Sequence, residues 1–432
     1  MTARTLPPHR MGAATAAAEI AAGRLTSEAL VRDCLDRIAV REDAVQAWTH
    51  LDRDAALRAA RDLDQRQSLG ALHGVPLGVK DVIDTHDMPT AYGSPIYPGH
   101  QPAADAGCIA MARAAGMLVL GKTVTTEFAT SYPGKTRNPH HPAHTPGGSS
   151  SGSAAAVADF MLPLSVGTQT GGSVIRPASF CGVVGFKPSF GLINRSGVKQ
   201  LSDTLDTVGV FGREVADVAL LAAVLSGRGD LAVTKPGAPP RIGFCRTPDW
   251  AQAAPDTVAA LEQTCAKLSA AGAVVTDCNL PPLFAELGAV HRTIEYFEIA
   301  RALQHEYRHH RALLSAGLAA RVEAGLACPG EDYEAATRHA RDCRALIDDC
   351  FREFDVLLTP SAIGEAPAGL SSTGKAVFNR MWTLLGLPCI TLPRYRGEAG
   401  LPVGIQIIGR FRADRKTLDV AAWVEQEFRR QS

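Results

Sequence analysis

Three places in this chain hold residues whose types and spacing could carry covalent chemistry. Gly147-Gly148-Ser149-Ser150-Ser151-Gly152-Ser153 and Thr170-Gly171-Gly172-Ser173 are two glycine–serine clusters, with Ser149 and Ser173 standing 24 positions apart. Lys80 lies upstream, where it interrupts the apolar run from Gly74 to Ile83. Glycines permit close backbone approaches, and successive N–H groups in such a loop can converge on developing negative charge. A serine in that setting is placed as a nucleophile but needs a base to take its proton. A lysine inside an apolar strand is costly to bury as an ammonium and is driven towards the neutral amine, which is a base. Each feature also has a plain reading. Glycine–serine runs serve as linkers, and a strand lysine can face water at a sheet edge. The segment between the two clusters, from Ala154 to Val166, is too apolar for a linker and reads as a helix followed by a buried strand. The second cluster also runs into Arg176-Pro177, which fixes a charge three residues after Ser173.

The elements that must position these residues follow from periodicity. Residues 12–68 read as helices, with Leu30, Val31, Cys34, Leu35 and Ile38 on one face and an N-cap at Thr26-Ser27-Glu28. Val75, Leu77 and Val79 alternate, which predicts a strand over Gly74–Ile83. Asp105 to Ala115 reads as a helix and Met117 to Leu120 as a strand. Further on, Val215–Leu225 and Thr257–Ala270 read as helices, and Arg241–Cys245 and Ala273–Thr276 as strands. Lys235 to Pro240 reads as a linker-like turn. Residues 283–353 read as long helices broken at Gly325 and Pro329-Gly330. Phe354–Thr359, Cys389–Leu392 and Ile405–Ile408 return to strands, and a terminal helix follows Asp414. No internal repeat or low-complexity tail interrupts this order.

Composition limits the classes of function. The 432 residues are 46% hydrophobic and 20% charged, which is ordinary for a globular chain with a large core. Lys+Arg and Asp+Glu both number 44, so bulk charge recruits neither nucleic acid nor an anionic membrane. Ten cysteines without a C-x-x-C pair favour buried, reduced thiols over a disulfide framework. No sustained apolar stretch reads as a signal or a membrane span, so a cytoplasmic location is the expectation.

Two histidine groups compete for attention as metal sites. His140, His141 and His144 follow Asn138-Pro139 in a loop, at a spacing unlike standard zinc patterns. His305-Glu306-Tyr307-Arg308-His309 fits H-E-x-x-H, which would make a zinc peptidase with His305 and His309 as ligands and Glu306 as base. That pattern fixes only three positions and lacks an assigned third ligand, so the expectation is a solvated helix face and no metal.

Three ordered motifs then carry a family resemblance. The segments around Lys80, around Ser149 and from Gly167 to Gly182 resemble the amidase signature family in order and spacing. Thr204-Leu205-Asp206-Thr207-Val208-Gly209, Phe354 to Pro360 and Gly400 to Gln406 are similar as well, so the likeness runs from about residue 15 to about residue 428. Within the family the chain most resembles the malonamidase-like subgroup, sharing Gln169 and Ser151 where many members carry Asp and Gly. The resemblance implies one α/β/α domain over 1–432, a large mixed central sheet covered by helices on both faces. Its parts would be an N-terminal helical layer (1–68), a catalytic core (70–225), a mostly helical part (240–353) and C-terminal strands with a helix (354–430). It implies a Lys80–Ser149–Ser173 relay with a cis peptide at Gly148-Ser149, and an oxyanion hole from the N–H groups of Thr170, Gly171, Gly172 and Ser173. It implies further that Arg176 either receives a substrate carboxylate or holds the loop, and that Asn379, Trp382 and Thr383 border the pocket, Trp382 being suited equally to the core. The implied activity is hydrolysis of a small linear amide with an acid end, such as malonamate, without a cofactor. Biuret-type, aryl-acylamide or other small amides are the alternatives. A glutaminyl-tRNA amidotransferase component shares the core but needs partner proteins. The expected partners are a small-molecule substrate and a second copy in a homodimer, with no nucleic acid and no membrane.

Overall fold

Lys80 closes a strand whose every residue is buried, and that strand sits inside one sheet of eleven strands. The computed structural model describes residues 6–232 and 237–430. The turn expected over Lys235–Pro240 therefore lies partly outside the described residues. The strands are β1 (Trp48–Leu51), β2 (Pro76–Lys80), β3 (Leu118–Thr123), β4 (Leu164–Gln169), β5 (Val184–Lys187), β6 (Thr207–Gly212), β7 (Arg241–Phe244), β8 (Val274–Asp277), β9 (Val356–Pro360), β10 (Cys389–Arg396) and β11 (Pro402–Ile408). They lie in the order β1-β3-β2-β4-β6-β5-β10-β11-β9-β7-β8. The sheet is mixed: β2 runs parallel to β3 and β4, β4 antiparallel to β6, and β7 parallel to β8 and β9.

Side chains alternate across the sheet, so apolar residues next to each other in sequence enter different cores. In β3, Leu118 and Leu120 join one apolar cluster while Val119 joins another. In β9, Val356 and Leu358 pack on one side and Leu357 on the other. Both faces are thus covered, as the near-continuous apolar runs of these strands require. The fold is the mixed α/β/α sheet expected from the motifs.

The differences from the sequence reading have local causes. The N-terminal part is not all helix: β1 pairs antiparallel with β3 between the helices Ser27–Val45 and Arg53–Asp64. It is four residues long and only half-buried, too short for periodicity to register. The cap is where it was expected, with Thr26 accepting from the Ala29 N–H. Gly325 does not break a helix but lies inside Ala316–Ala327. A Cβ there would collide with the Tyr296 carbonyl, so the glycine permits close approach to the helix Leu287–Ala302. Pro329 does end that helical run and caps Gly330–Glu353.

Candidate active site

Parallel neighbours deliver their carboxyl ends to the same sheet edge, where clefts of open α/β sheets form. β2 ends there at Lys80, and β4 ends there at Gln169 and passes directly into Thr170-Gly171-Gly172-Ser173. Ser149 arrives from the other glycine–serine cluster, just before the helix Ser151–Ala158, through a cis Gly148-Ser149 peptide.

Lys80 is fully buried, and its Nζ lies 2.7 Å from Ser149 Oγ and 2.7 Å from Thr168 Oγ1. Burial pulls its amine down to about 7, against a smaller opposing pull from Asp206. The amine is therefore poised between its charged and neutral forms near neutral pH. Ser173 borders a cleft of about 340 Å³ together with Thr170, Gly171, Gly172 and Arg176. Among the described residues, none accepts a hydrogen bond from the N–H groups of Gly171, Gly172 or Ser173. Those donors remain available to a ligand oxygen.

The loop carrying Ser173 is gripped by side chains distant in sequence. Gln169 Oε1 accepts from the N–H groups of Val174 and Ile175, at 2.8 and 3.1 Å, at the start of the helix Ile175–Cys181. Its Nε2 donates to Thr383 Oγ1, which lies 2.8 Å from the Gly171 carbonyl. The Thr170 hydroxyl donates to the buried Asp206 carboxylate at 2.6 Å, and the Thr170 carbonyl accepts from His291 Nε2 at 2.9 Å. Asp206 also accepts the N–H groups of Leu201 and Ser202. Burial pushes the Asp206 carboxyl up and the His291 imidazole down. Gly172 has no room for a side chain, since a Cβ would press on Asn379 and Ala376.

Arg176 is buried and faces the same cleft. Its Nη2 donates to the Gly148 carbonyl at 2.6 Å and to Thr373 Oγ1 at 3.2 Å, while its Nε has no partner among the described residues. It therefore holds the peptide that precedes Ser149 and also offers charge to the cleft. Burial and the neighbouring charge of Arg380 bring its guanidinium down to about 9, which leaves it cationic at neutral pH.

The structure gathers Lys80 and Ser149 in direct contact, and Thr170, Gly171, Gly172, Ser173 and Arg176 around one cleft. The expected pocket residues near the C-terminus are corrected. Trp382 is fully buried in the core, and Asn379 donates to the Ser361 carbonyl. Thr383 acts on the loop from behind, and it is Ala376, Val377 and Arg380 of that stretch that border the cleft. Their helix, Arg380–Leu384, is one turn long, so its facing could not be read from periodicity. Sequence reasoning also missed Thr168, His291, Glu295 and Arg380. Thr168 left one signal, a hydroxyl in an apolar strand beside the one holding Lys80.

The histidine groups are engaged otherwise. His140 Nε2 and His144 Nδ1 donate to the carbonyls of Cys181 and Ala366, each at 2.8 Å. Glu306 is buried and bound by Lys199 Nζ at 2.5 Å and the Tyr97 hydroxyl at 2.7 Å, while His305 and His309 are exposed. The carboxylate of the H-E-x-x-H pattern thus points into the core, away from its two imidazoles. Among the described residues, no helix is long and apolar enough to cross a membrane.

Comparison with known proteins agrees with this geometry. A family model described as Amidase matches residues 29–418. The glutamyl-tRNA(Gln) amidotransferase A-type component of Symbiobacterium thermophilum is 34% identical, with 94% of each chain covered. A crystal structure described as an amidase superposes with a TM-score of 0.88 at 31% identity, covering 96% of this chain and 99% of the other. The native peptide amidase of Stenotrophomonas maltophilia gives a TM-score of 0.84 at 30% identity, covering 98% of each chain. None of these three is described as a malonamidase, so that finer likeness rests on the motif residues.

Proposed function

The chain belongs to the amidase family, and from that premise we propose that it hydrolyses small linear amides bearing an acid end, of which malonamate is the type. Ser173 is the nucleophile of this reading, Ser149 the relay and Lys80 the base. The neutral Lys80 amine takes the Ser149 proton while Ser149 takes that of Ser173, since a hydroxyl both donates and accepts. Ser173 Oγ bonds to the amide carbon, and the oxyanion is received by N–H groups of Thr170, Gly171, Gly172 and Ser173. The proton returns by the same route to the leaving nitrogen, ammonia departs, and an ester remains on Ser173. Water attacks that ester with Lys80 again accepting the proton, which releases the carboxylic acid and restores the serine.

The observation that carries the reading is the 2.7 Å contact between a fully buried Lys80 amine and Ser149 Oγ, beside a cleft that holds both Ser173 and Arg176. Arg176 supports the acid end, because a planar guanidinium receives a carboxylate through paired donors. The test is a substrate panel of malonamate, propionamide, biuret and an anilide on the purified chain. Malonamate should lead in kcat/KM; a lead by biuret or the anilide would move the protein to another small-amide specificity of the same family.

A second reading comes from the relative named as part of a glutamyl-tRNA(Gln) amidotransferase. It assigns glutamine as the amide donor and requires partner proteins. Full hydrolytic turnover of malonamate by the chain alone argues against it, and glutaminase activity that appears only with those partners added argues for it.

A further inference from the structure

The cleft beside Ser173 is crowded with positive charge. Arg176, Arg321, Lys375 and Arg380 border it, against a single carboxylate, Glu295. Two of these cations are committed or solvated: Arg321 donates to Ser131 Oγ, and Lys375 is exposed. Arg380 differs from both. It is half-buried, and its guanidinium has no hydrogen-bond or ion-pair partner among the described residues. Its stem passes Gly171, where a Cβ on that glycine would stand 3.7 Å from Arg380 Cγ. It also borders an adjoining cavity of about 470 Å³, which shares Lys375, Val377 and Arg380 with the cleft. The guanidinium thus stands on the wall between the two spaces, next to the glycine loop.

We propose that Arg380 is a specificity-determining residue that engages the anionic end of the substrate together with Arg176. The proposal rests on the acid-end reading of the site. An arginine left unpaired beside a buried arginine is unfavourable by itself, since like charges oppose one another and each loses hydration. An anion placed between them removes both costs, and charge-assisted bonds from two guanidinia outweigh those from one. Arg176 spends Nη2 on Gly148 and Thr373 and has only its remaining donors to give, so a carboxylate on Arg176 has lone pairs left for Arg380. The lowered guanidinium of Arg176, to which Arg380 contributes, agrees with this mutual repulsion. The substrate class that follows is a monoamide of a short dicarboxylic acid, or a near relative with its anion within reach of both arginines.

The experiment measures Arg380→Gln, Arg380→Lys and Arg176→Gln against the parent chain in two ways. The first is the ratio of kcat/KM for malonamate to that for propionamide. The second is inhibition of propionamide hydrolysis by malonate. Arg380→Gln should lower the ratio by about tenfold or more and weaken malonate inhibition by a similar factor, as expected for one lost bond to a charged group. Arg380→Lys should fall between Gln and the parent. If Arg380→Gln leaves both the ratio and the malonate inhibition unchanged while Arg176→Gln shifts them, this proposal fails and the acid-end reading survives. If malonate does not inhibit the parent and the parent does not prefer malonamate, the acid-end reading itself fails and takes this one with it.

Discussion

Thr168 Oγ1 lies as close to Lys80 Nζ as Ser149 Oγ does, both at 2.7 Å. A neutral amine has two N–H donors and one lone pair, so its two neighbours can take different roles. If the amine donates to Thr168, its lone pair is turned towards Ser149, the direction in which a proton must arrive. Thr168 is then a positioning residue for the base. Thr168→Val should lower kcat by about tenfold, within the usual range for a misplaced proton acceptor, and leave KM for malonamate much less affected. Steady-state kinetics decide this. An equal rise in KM, or no change in kcat, would reduce Thr168 to packing.

The buried amine also sets a pH dependence. Lys80 titrates at about 7 in the folded chain, and only the neutral form can act as a base. The rate should therefore fall as pH drops below about 7, by about tenfold per unit, and level off above it. Lys80→Ala and Ser173→Ala should each abolish turnover in folded protein. A kcat/KM flat from pH 5 to pH 8 would exclude Lys80 as the titrating base. Stability carries the same sign. Between the folded value of about 7 and the ordinary 10.5, the unfolded chain binds the extra proton at this position. The Lys80 contribution to stability therefore rises with pH across that window and is most unfavourable below it. Lys80→Met should melt above the parent at pH 6, with the gap narrowing towards pH 10, as calorimetry can show.

Arg176 combines two functions that a substitution can separate. Its Nη2 holds the Gly148 carbonyl, and its face to the cleft offers charge. Arg176→Lys keeps one positive charge but loses the paired donors. It should raise KM for malonamate by about tenfold or more, in line with a lost bond to a charged group, and affect propionamide less. Equal losses on both substrates would mean that Arg176 serves the Gly148 peptide and leaves the substrate alone.

Much of this site was legible in the sequence because its parts are short, local and chemically unusual. A lysine in an apolar strand and two glycine–serine clusters leave signals that need no tertiary information. The strands β2 and β4 could be read for the same reason, as apolar runs bounded by glycine. The residues that grip the loop from behind left no such trace. Gln169 meets Thr383 across 214 positions, Thr170 meets His291 across 121, and neither pairing follows from any periodicity. β1 was hidden by its length, and the cleft wall at Arg380 by a helix of one turn. The Asp206 segment was noticed as a likeness, but its work, anchoring the Thr170 hydroxyl, needed the fold.

His291 gives the most demanding of these contacts a direct test. Its ring is fully buried, and burial pushes its imidazole down, so it stays neutral at neutral pH. A carbonyl can only accept, so Nε2 carries the hydrogen and donates it to the Thr170 oxygen at 2.9 Å. Nδ1 has no hydrogen-bond partner among the described residues and lies 3.8 Å from Glu295 Oε2. One bond therefore sets the orientation of the Thr170–Gly171 peptide, whose N–H belongs to the proposed oxyanion hole. Removing the donor leaves a buried carbonyl unpaired, at a cost of about 1–3 kcal/mol, and lets the peptide turn. His291→Ala should thus lower the melting temperature and reduce kcat by about tenfold, with a smaller change in KM, since the oxyanion exists only after attack. His291→Gln can present an amide N–H towards the same oxygen and should recover part of kcat. If the Gln variant is no better than Ala in kcat while both melt at the parent temperature, the contact does not position the loop.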